Sequence, residues 1–287
     1  MYAYKKLNKL ATIVLIAIVS MGITISTSCT HPLSTPPSTP GDDSALLSGV
    51  VTQAGSTTVQ PLAEKLADAF RWLYPNVTVT IQGGGSSVGV KTAADGTVDI
   101  GAASRELKPE EPRLISYLIA HSGLAIITHP SNTLAELTKE DVRRIFAGEI
   151  RRWDEVGGSN DEIIVVAREE GSGARHTFEK EVMKESLITN RALLQPASGA
   201  IRNIISMTPG SIGFLSFNYL DSLVKALAID GTEATADNII SGTYTMSQPF
   251  YFLTRDEPNS PASDFIGFCL SPDGQSIVRS EGYISVE

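Results

Sequence analysis

Three segments of the chain combine residues that suit the capture of an anion. They are VVTQAGSTT from residue 50, VTVTIQGGGSSVGVK from residue 77, and IIVVAREEGSGARHTFEKEV from residue 163. Each reads as a strand, a Gly/Ser turn and the start of a helix. The first N–H groups of a helix have no intrahelical acceptor, and the aligned peptide dipoles make that end positive. Glycine lets a ligand approach the backbone, and Ser or Thr adds a hydroxyl that caps the helix or donates to the ligand. Such a turn is an oxyanion cradle. Ser56, Thr57 and Thr58 occupy the first turn, Ser86 the second, and Ser172, Gly173 and Ala174 the third. Any one of them alone is ordinary helix punctuation. Three in one chain could converge on a single anion at the carboxyl ends of the strands. Arg168 ends the strand before the third turn, where its guanidinium could clamp an oxyanion through two parallel hydrogen bonds. The other use of Arg168 is a surface ion pair with Glu169 or Glu170.

Other chemistries fail on spacing. There is no Walker A pattern, and GGGSSVG has Val88 where a dinucleotide-binding turn needs its third Gly. Ser172 and His176 stand four apart, as a nucleophile and base on one helix face could, but no acid partner is evident to orient the base. His31, His121, His129 and His176 are scattered without metal-ligand spacing, so no metal and no cofactor is expected. Trp153 reads as a packing anchor.

Positioning three such turns requires a regular scaffold. Apolar, largely β-branched runs at 50–54, 77–82, 124–128 and 163–167 predict strands. Val59, Leu62, Ala63, Leu66, Phe70 and Leu73 recur at three- and four-residue spacing and predict a helix over 59–73, stopped by Pro75. Segments 140–146 and 175–183 also predict helices. Strands alternating with helices predict an α/β fold with mainly parallel sheets.

The start of the chain is not part of that fold. Lys5, Lys6 and Lys9 precede an apolar stretch over 10–25, and small residues lead to Cys29. The order predicts an export signal over 1–28, and ITISTSC looks like a bacterial lipoprotein site with Cys29 as the lipidated residue. An uncleaved membrane anchor is the alternative, and both place the remainder outside the cytoplasmic membrane. Residues 29–47, rich in Pro, Ser and Thr, read as a flexible, lipid-anchored tether. The net charge of the 287-residue chain is −9, and removing the three signal lysines leaves about −12. Nucleic acid, whose binding rests on many Lys and Arg contacts, is thereby disfavoured as a partner. A small anion is not, because its site depends on local donors. Cys269 is the only other thiol, so no disulfide framework is expected.

With AGSTTVQPLAE, QGGGSSVGVKTAADGTVDIGAASRELK, LTKEDVRRIFAGEIRRWDEVGG, REEGSGARHTF and PGSIGFLS in this order, the chain resembles the phosphate-binding proteins of phosphate ABC transporters, the PstS family. The resemblance runs from about residue 50 to 252. It implies a two-lobed α/β binding-protein fold of type II, with two crossing hinge strands and the ligand in the interlobe cleft. One lobe would be 48–126 plus 249–287, the other 127–248, with crossings near 124–128 and 249–254. It further implies a monomeric, non-enzymatic receptor that hands phosphate to a permease and its ATPase. By motif, Thr57 and the Thr58 N–H, Ser86, Arg168, Ser172 and the Gly173 N–H would bind phosphate, and Glu170 would pair with Arg168. The chain departs from the family pattern twice. Ala174 stands where many members have Thr, which removes a hydroxyl but keeps the N–H. Ser104 stands where long-form members have the Asp that accepts the proton of phosphate. Sulfate exclusion is still the expectation, and it requires another acceptor near Ser104. The rivals are a receptor for another tetrahedral oxyanion such as sulfate, a surface phosphate-ester hydrolase, and a surface protein that kept the fold without the site.

Overall fold

The structure, a computed structural model, describes residues 47–287. The expected signal, Cys29 and the tether up to residue 46 lie outside the described residues. Strand β1 (Gly49–Gly55) leads into α1 (Gln60–Leu73), β2 (Val77–Gly83), α2 (Ser86–Ala94) and β3 (Ile100–Ala103). The long β4 (Ile115–Thr128) follows, then β5 (Glu136–Leu137), α3 (Lys139–Ala147), β6 (Ile164–Arg168), α4 (Gly173–Phe178), β7 (Leu193–Gln195) and α5 (Ser198–Met207). The chain continues through β8 (Ser211–Ser216), β9 (Lys225–Ile229), α6 (Ala236–Ile240) and β10 (Ser247–Thr254), and closes with α7 (Ala262–Leu270) and α8 (Pro272–Ser280).

Most of the periodic apolar face of α1 is buried, but Leu73 at its end, expected on that face, is exposed. Leu62, Ala63, Leu66, Ala67 and Phe70 are buried, and Pro61 in the first turn needs no amide partner there. That face packs with Val51, Ile100, Ile119, Phe252, Phe265 and Cys269 in one core. A second core gathers Leu124, Phe146, Trp153, Phe178, Phe214 and Met246. In it Phe178 stacks on Phe214 with centroids 4.3 Å apart, and the Trp153 indole N–H donates to Gly210 O at 2.9 Å, as a packing anchor requires. Each of these fully buried aromatics contributes about 1.5–3 kcal/mol in apolar burial.

The two cores define two lobes, and the sheet runs through both in the order β2-β1-β3-β10-β4-β8-β6-β7. The mainly parallel sheet expected from the alternating pattern is found only in part. Strands β1, β2 and β3 are parallel to one another, as are β6, β7 and β8. The central pairs of β10 with β3 and β4, and of β4 with β8, are antiparallel. The reason is that β4 and β10 cross between the lobes in opposite directions. β4 pairs with β10 up to Gly123 and with β8 from Leu124 onward, so it changes partners just ahead of the segment expected to cross. The helix expected over 175–183 is α4 followed by a wider π-helical turn, Glu179–Met183.

Candidate functional site

The three Gly/Ser turns lie at the carboxyl ends of β1, β2 and β6, and the fold brings them together across the cleft. On the first lobe, Gly55 has φ +142°, and an added Cβ there would press on Ala102 backbone. Only glycine lets β1 turn so close to β3. The Ser56 N–H donates to Ala102 O at 2.8 Å. Ser56 Oγ accepts from the Thr58 N–H at 3.2 Å and donates to Ser104 Oγ at 3.0 Å. Ser86 begins α2, and its Oγ accepts from the Ser104 N–H at 3.0 Å and lies 3.5 Å from Ser104 Oγ. Ser56, Thr57, Thr58, Ser86 and Ser104 are all buried.

On the second lobe, Ser172 is the N-cap of α4, and its Oγ accepts from the Arg175 N–H at 3.3 Å. The N–H groups of Gly173 and Ala174 then open the helix without intrahelical acceptors. The turns of the two lobes interlock. The Ser87 N–H donates to Gly171 O at 3.0 Å, and a Cβ on Gly173 would collide with Ser104 Oγ and Ser86 Oγ.

Arg168 reaches across from the end of β6. It is 2 % exposed. Its Nη2 donates to Thr57 Oγ1 at 3.2 Å and to Pro196 O at 2.8 Å, its Nη1 to Ser198 Oγ at 3.0 Å, and its Nε to Gln195 O at 3.2 Å. Burial pushes its pKa down to about 10, against a smaller opposing pull from Tyr219 and Glu169. It therefore stays charged at neutral pH.

The structure corrects the expectation for Glu170. Glu170 is exposed and does not pair with Arg168. β6 ends at Arg168, and the chain then turns through Gly171 at φ +85°, which carries Glu170 away. The carbonyls and hydroxyl of the β7–α5 turn hold the guanidinium instead. Glu170 lines a cleft of about 480 Å³ beside Ser172, together with Ser87, Arg105, Lys108, Arg175 and His176. Among the described residues, no carboxylate hydrogen-bonds to the site hydroxyls or to Arg168.

Sequence reasoning missed Ser198 and Tyr219. Ser198 is 1 % exposed, lies 3.2 Å from Thr58 Oγ1, and donates its N–H to Thr57 Oγ1 at 3.3 Å. Its segment, PASGA, is a fourth Ser/Gly turn at a helix start, and that was the available signal. The Tyr219 hydroxyl donates to Thr57 O at 2.6 Å, and burial raises its pKa to about 12. Nothing local marked it. Behind the first-lobe turns, Arg105 makes a bidentate pair with Glu111 at 2.6 and 2.8 Å and donates to Ser87 Oγ at 3.1 Å. Burial raises the Glu111 pKa, but the hydrogen bonds from Arg105 and the Lys108 N–H outweigh it and hold the carboxyl below its ordinary value.

Two lobes joined by crossing strands, with Gly/Ser turns from both gathered around one buried arginine, define a two-lobed binding-protein fold. Residues 34–273 match the PBP superfamily domain. The phosphate-binding protein PstS of Bacillus subtilis is 32% identical over 291 residues, covering 98% of this chain and 95% of that protein. A structure from Clostridium perfringens, described as a phosphate ABC transporter substrate-binding protein with bound phosphate, superimposes with a TM-score of 0.81. It is 39% identical and covers 83% of this chain and 100% of its own. An ABC-type phosphate transport receptor from Vibrio cholerae gives a TM-score of 0.68 at 32% identity, covering 82% and 99%. The chain belongs to the PstS family of phosphate-binding proteins within the PBP superfamily.

Proposed function

We propose that this protein is an extracytoplasmic receptor that binds inorganic phosphate in the interlobe cleft and delivers it to the permease and ATPase of an ABC importer. The observation that carries this reading is the fully buried Arg168, held by neutral acceptors among helix starts from both lobes. A buried cation without a carboxylate partner is costly until an anion offsets it. Thr57, Ser86, Ser104 and Ser172 side chains, with the Thr58, Gly173 and Ala174 N–H groups, would complete the cradle. Ser56 serves it indirectly, because its proton goes to Ser104. The separation of the two apolar cores supports two lobes close to 48–126 plus 249–287 and 127–248, with the first crossing between Ala120 of one core and Leu124 of the other.

The receptor acts without turnover in this reading. Ser172 Oγ is engaged as a helix cap by Arg175, which is a binding role rather than that of an activated nucleophile. The chain works as a monomer tethered through lipidated Cys29. No helix among the described residues is long and apolar enough to cross a membrane, so attachment in this reading rests on the N-terminal segment. Calorimetric titration with inorganic phosphate tests the central claim, with a saturable one-to-one isotherm expected. Absence of binding at any pH, or steady hydrolysis of a chromogenic phosphate ester, would overturn it.

A further inference from the structure

The single helical turn Phe217–Tyr219, which follows β8 in the second lobe, reaches the first lobe at two carbonyls. The first is Thr57 O. At the start of α1 this carbonyl would accept from the N–H of residue 61, but residue 61 is Pro and has none. The Tyr219 hydroxyl donates to it instead, at 2.6 Å, and burial, which raises its pKa to about 12, keeps that hydroxyl protonated. The second is Glu281 O, at the C-terminal end of α8, where a helix leaves its last carbonyls without intrahelical donors. The Asn218 side-chain N–H donates to it at 3.2 Å. Both bonds thus satisfy carbonyls that the helices of the first lobe leave open. Neither donor is among the groups that would hold the anion.

The same turn is seated on a crossing strand. Ser122 stands on β4 next to Gly123, the last residue that β4 pairs with β10. Ser122 Oγ and Ser216 Oγ lie 2.7 and 3.1 Å from Asn218 Oδ1 and 2.5 Å from each other. Both serines are fully buried. Their hydroxyls hold the Asn218 oxygen, which leaves its nitrogen facing Glu281. Gly123 supplies the space for the turn: a Cβ there would collide with the Phe217 ring and with Ile239 Cδ1. Its φ is not in the left-handed region, so the glycine serves close approach rather than backbone freedom.

We propose that this turn is a hinge-side latch: Asn218 and Tyr219 hold the lobes closed without touching the ligand, and so set how long bound phosphate is retained. The proposal rests on the phosphate-receptor reading above. With the lobes apart, Thr57 O and Glu281 O are left to water, so each bond exchanges a water partner for a protein donor. One such exchange shifts the closing equilibrium by about twofold to tenfold. Tyr219 is a positioning residue, because it acts through Thr57, whose Oγ1 accepts from Arg168 at 3.2 Å. Phosphate meets the open cleft, where the latch is unmade, and leaves only after the lobes part. The latch therefore acts on release and not on encounter.

Two variants test the proposal. Tyr219→Phe removes only the hydroxyl, and Asn218→Asp keeps the acceptor for Ser122 and Ser216 while losing the donor to Glu281 O. Calorimetric titration with inorganic phosphate gives the affinity. Release of radiolabelled phosphate into excess unlabelled phosphate gives the dissociation rate. Asn218→Asp is compared with wild type in about 0.5 M salt, where its added charge is screened. Each variant is expected to bind phosphate about twofold to tenfold more weakly, to release it faster by the same factor, and to melt like wild type without ligand. An unchanged dissociation rate overturns the proposal while leaving the receptor reading intact. So does a ligand-free melting temperature that falls while phosphate affinity holds, since the contacts would then belong to the fold alone. If Asn218→Asp does not fold, Tyr219→Phe still decides. Absence of phosphate binding by the wild-type protein overturns both.

Discussion

Replacing Arg168 by Ala should lower both affinity and stability. The guanidinium is a full positive charge held among the site hydroxyls by the hydrogen bonds described above. A hydrogen bond to a charged group is worth about 1.5–3 kcal/mol net, so its loss should raise the phosphate dissociation constant about tenfold to a few hundredfold. Stability has two opposing contributions. Burial lowers the Arg168 pKa from its ordinary value to about 10. At ~1.36 kcal/mol per unit, this corresponds to ~3 kcal/mol by which the folded state disfavours the charge. For a base with a lowered folded pKa, that penalty is fully present below the folded value and disappears above the unfolded one. Removing the charge relieves it at neutral pH. Against this, the variant loses four hydrogen bonds from a charged group and strands the Pro196 and Gln195 carbonyls, at about 1.5–3 kcal/mol for each bond. The losses outweigh the relief. The ligand-free variant should therefore melt below wild type. The phosphate-induced rise in melting temperature should shrink, because a hundredfold loss at saturating ligand removes about 2.7 kcal/mol of linkage. Arg168→Lys should recover part of the affinity, since an ammonium supplies charge without the fork. A ligand-free Tm that collapses while phosphate affinity is retained would refute this reasoning and make Arg168 a structural residue.

Two further outcomes follow from contacts between and behind the turns. Gly173→Ala should hold the lobes apart, because its Cβ would meet Ser86 Oγ at 2.5 Å and also strike Ser104 Oγ. Phosphate affinity should drop by about tenfold or more, and small-angle scattering with excess phosphate should show a larger radius of gyration than wild type. Glu111→Gln should weaken the clamp on Arg105 and Ser87. With the Glu111 pKa held down, its stabilisation is present above the ordinary carboxylate pKa of 4.5 and is lost as pH falls through the folded value. The variant should therefore be destabilised at neutral pH, with the difference from wild type narrowing in acid urea titrations.

Much of the scaffold was legible because local spacing and burial agree. The α1 periodicity named Leu62, Ala63, Leu66 and Phe70, all buried, but also Leu73, which is exposed, and the three Gly/Ser turns lie where strands β1, β2 and β6 end. Legibility failed where distance along the chain was decisive. A period-two strand pattern does not reveal direction, so β4 and β10 looked compatible with a parallel sheet until their crossing fixed them antiparallel. Ser198 belongs to the same class of turn as the other three. The strand before it, β7, has three residues with two of them exposed, too short and polar in setting to announce itself. Tyr219 reaches Thr57 over 162 positions of sequence. Glu170 misled for a different reason: the family motif implied a pair with Arg168, but the chain turns through a left-handed glycine at 171 and the acid lies out of the site.

That exchange of a carboxylate for neutral acceptors changes what closing the cleft does. An arginine paired with an acid would present little net charge, and the ligand would have to compete with that acid. Here Gln195 O, Pro196 O and Ser198 Oγ fix the guanidinium's orientation while leaving its charge uncompensated. The same Ser198 contacts Thr58 across the lobes, and Arg168 itself contacts Thr57. The group that carries the charge is thereby also a group that joins the lobes. An anion seated among these donors would offset the buried charge and favour the joined arrangement together, since a ligand shifts a conformational equilibrium only by its differential affinity for the two states. Affinity and closure are then coupled through one side chain, so perturbing Arg168 should affect both. A change at Ser172, a helix cap on one lobe, should act mainly on affinity.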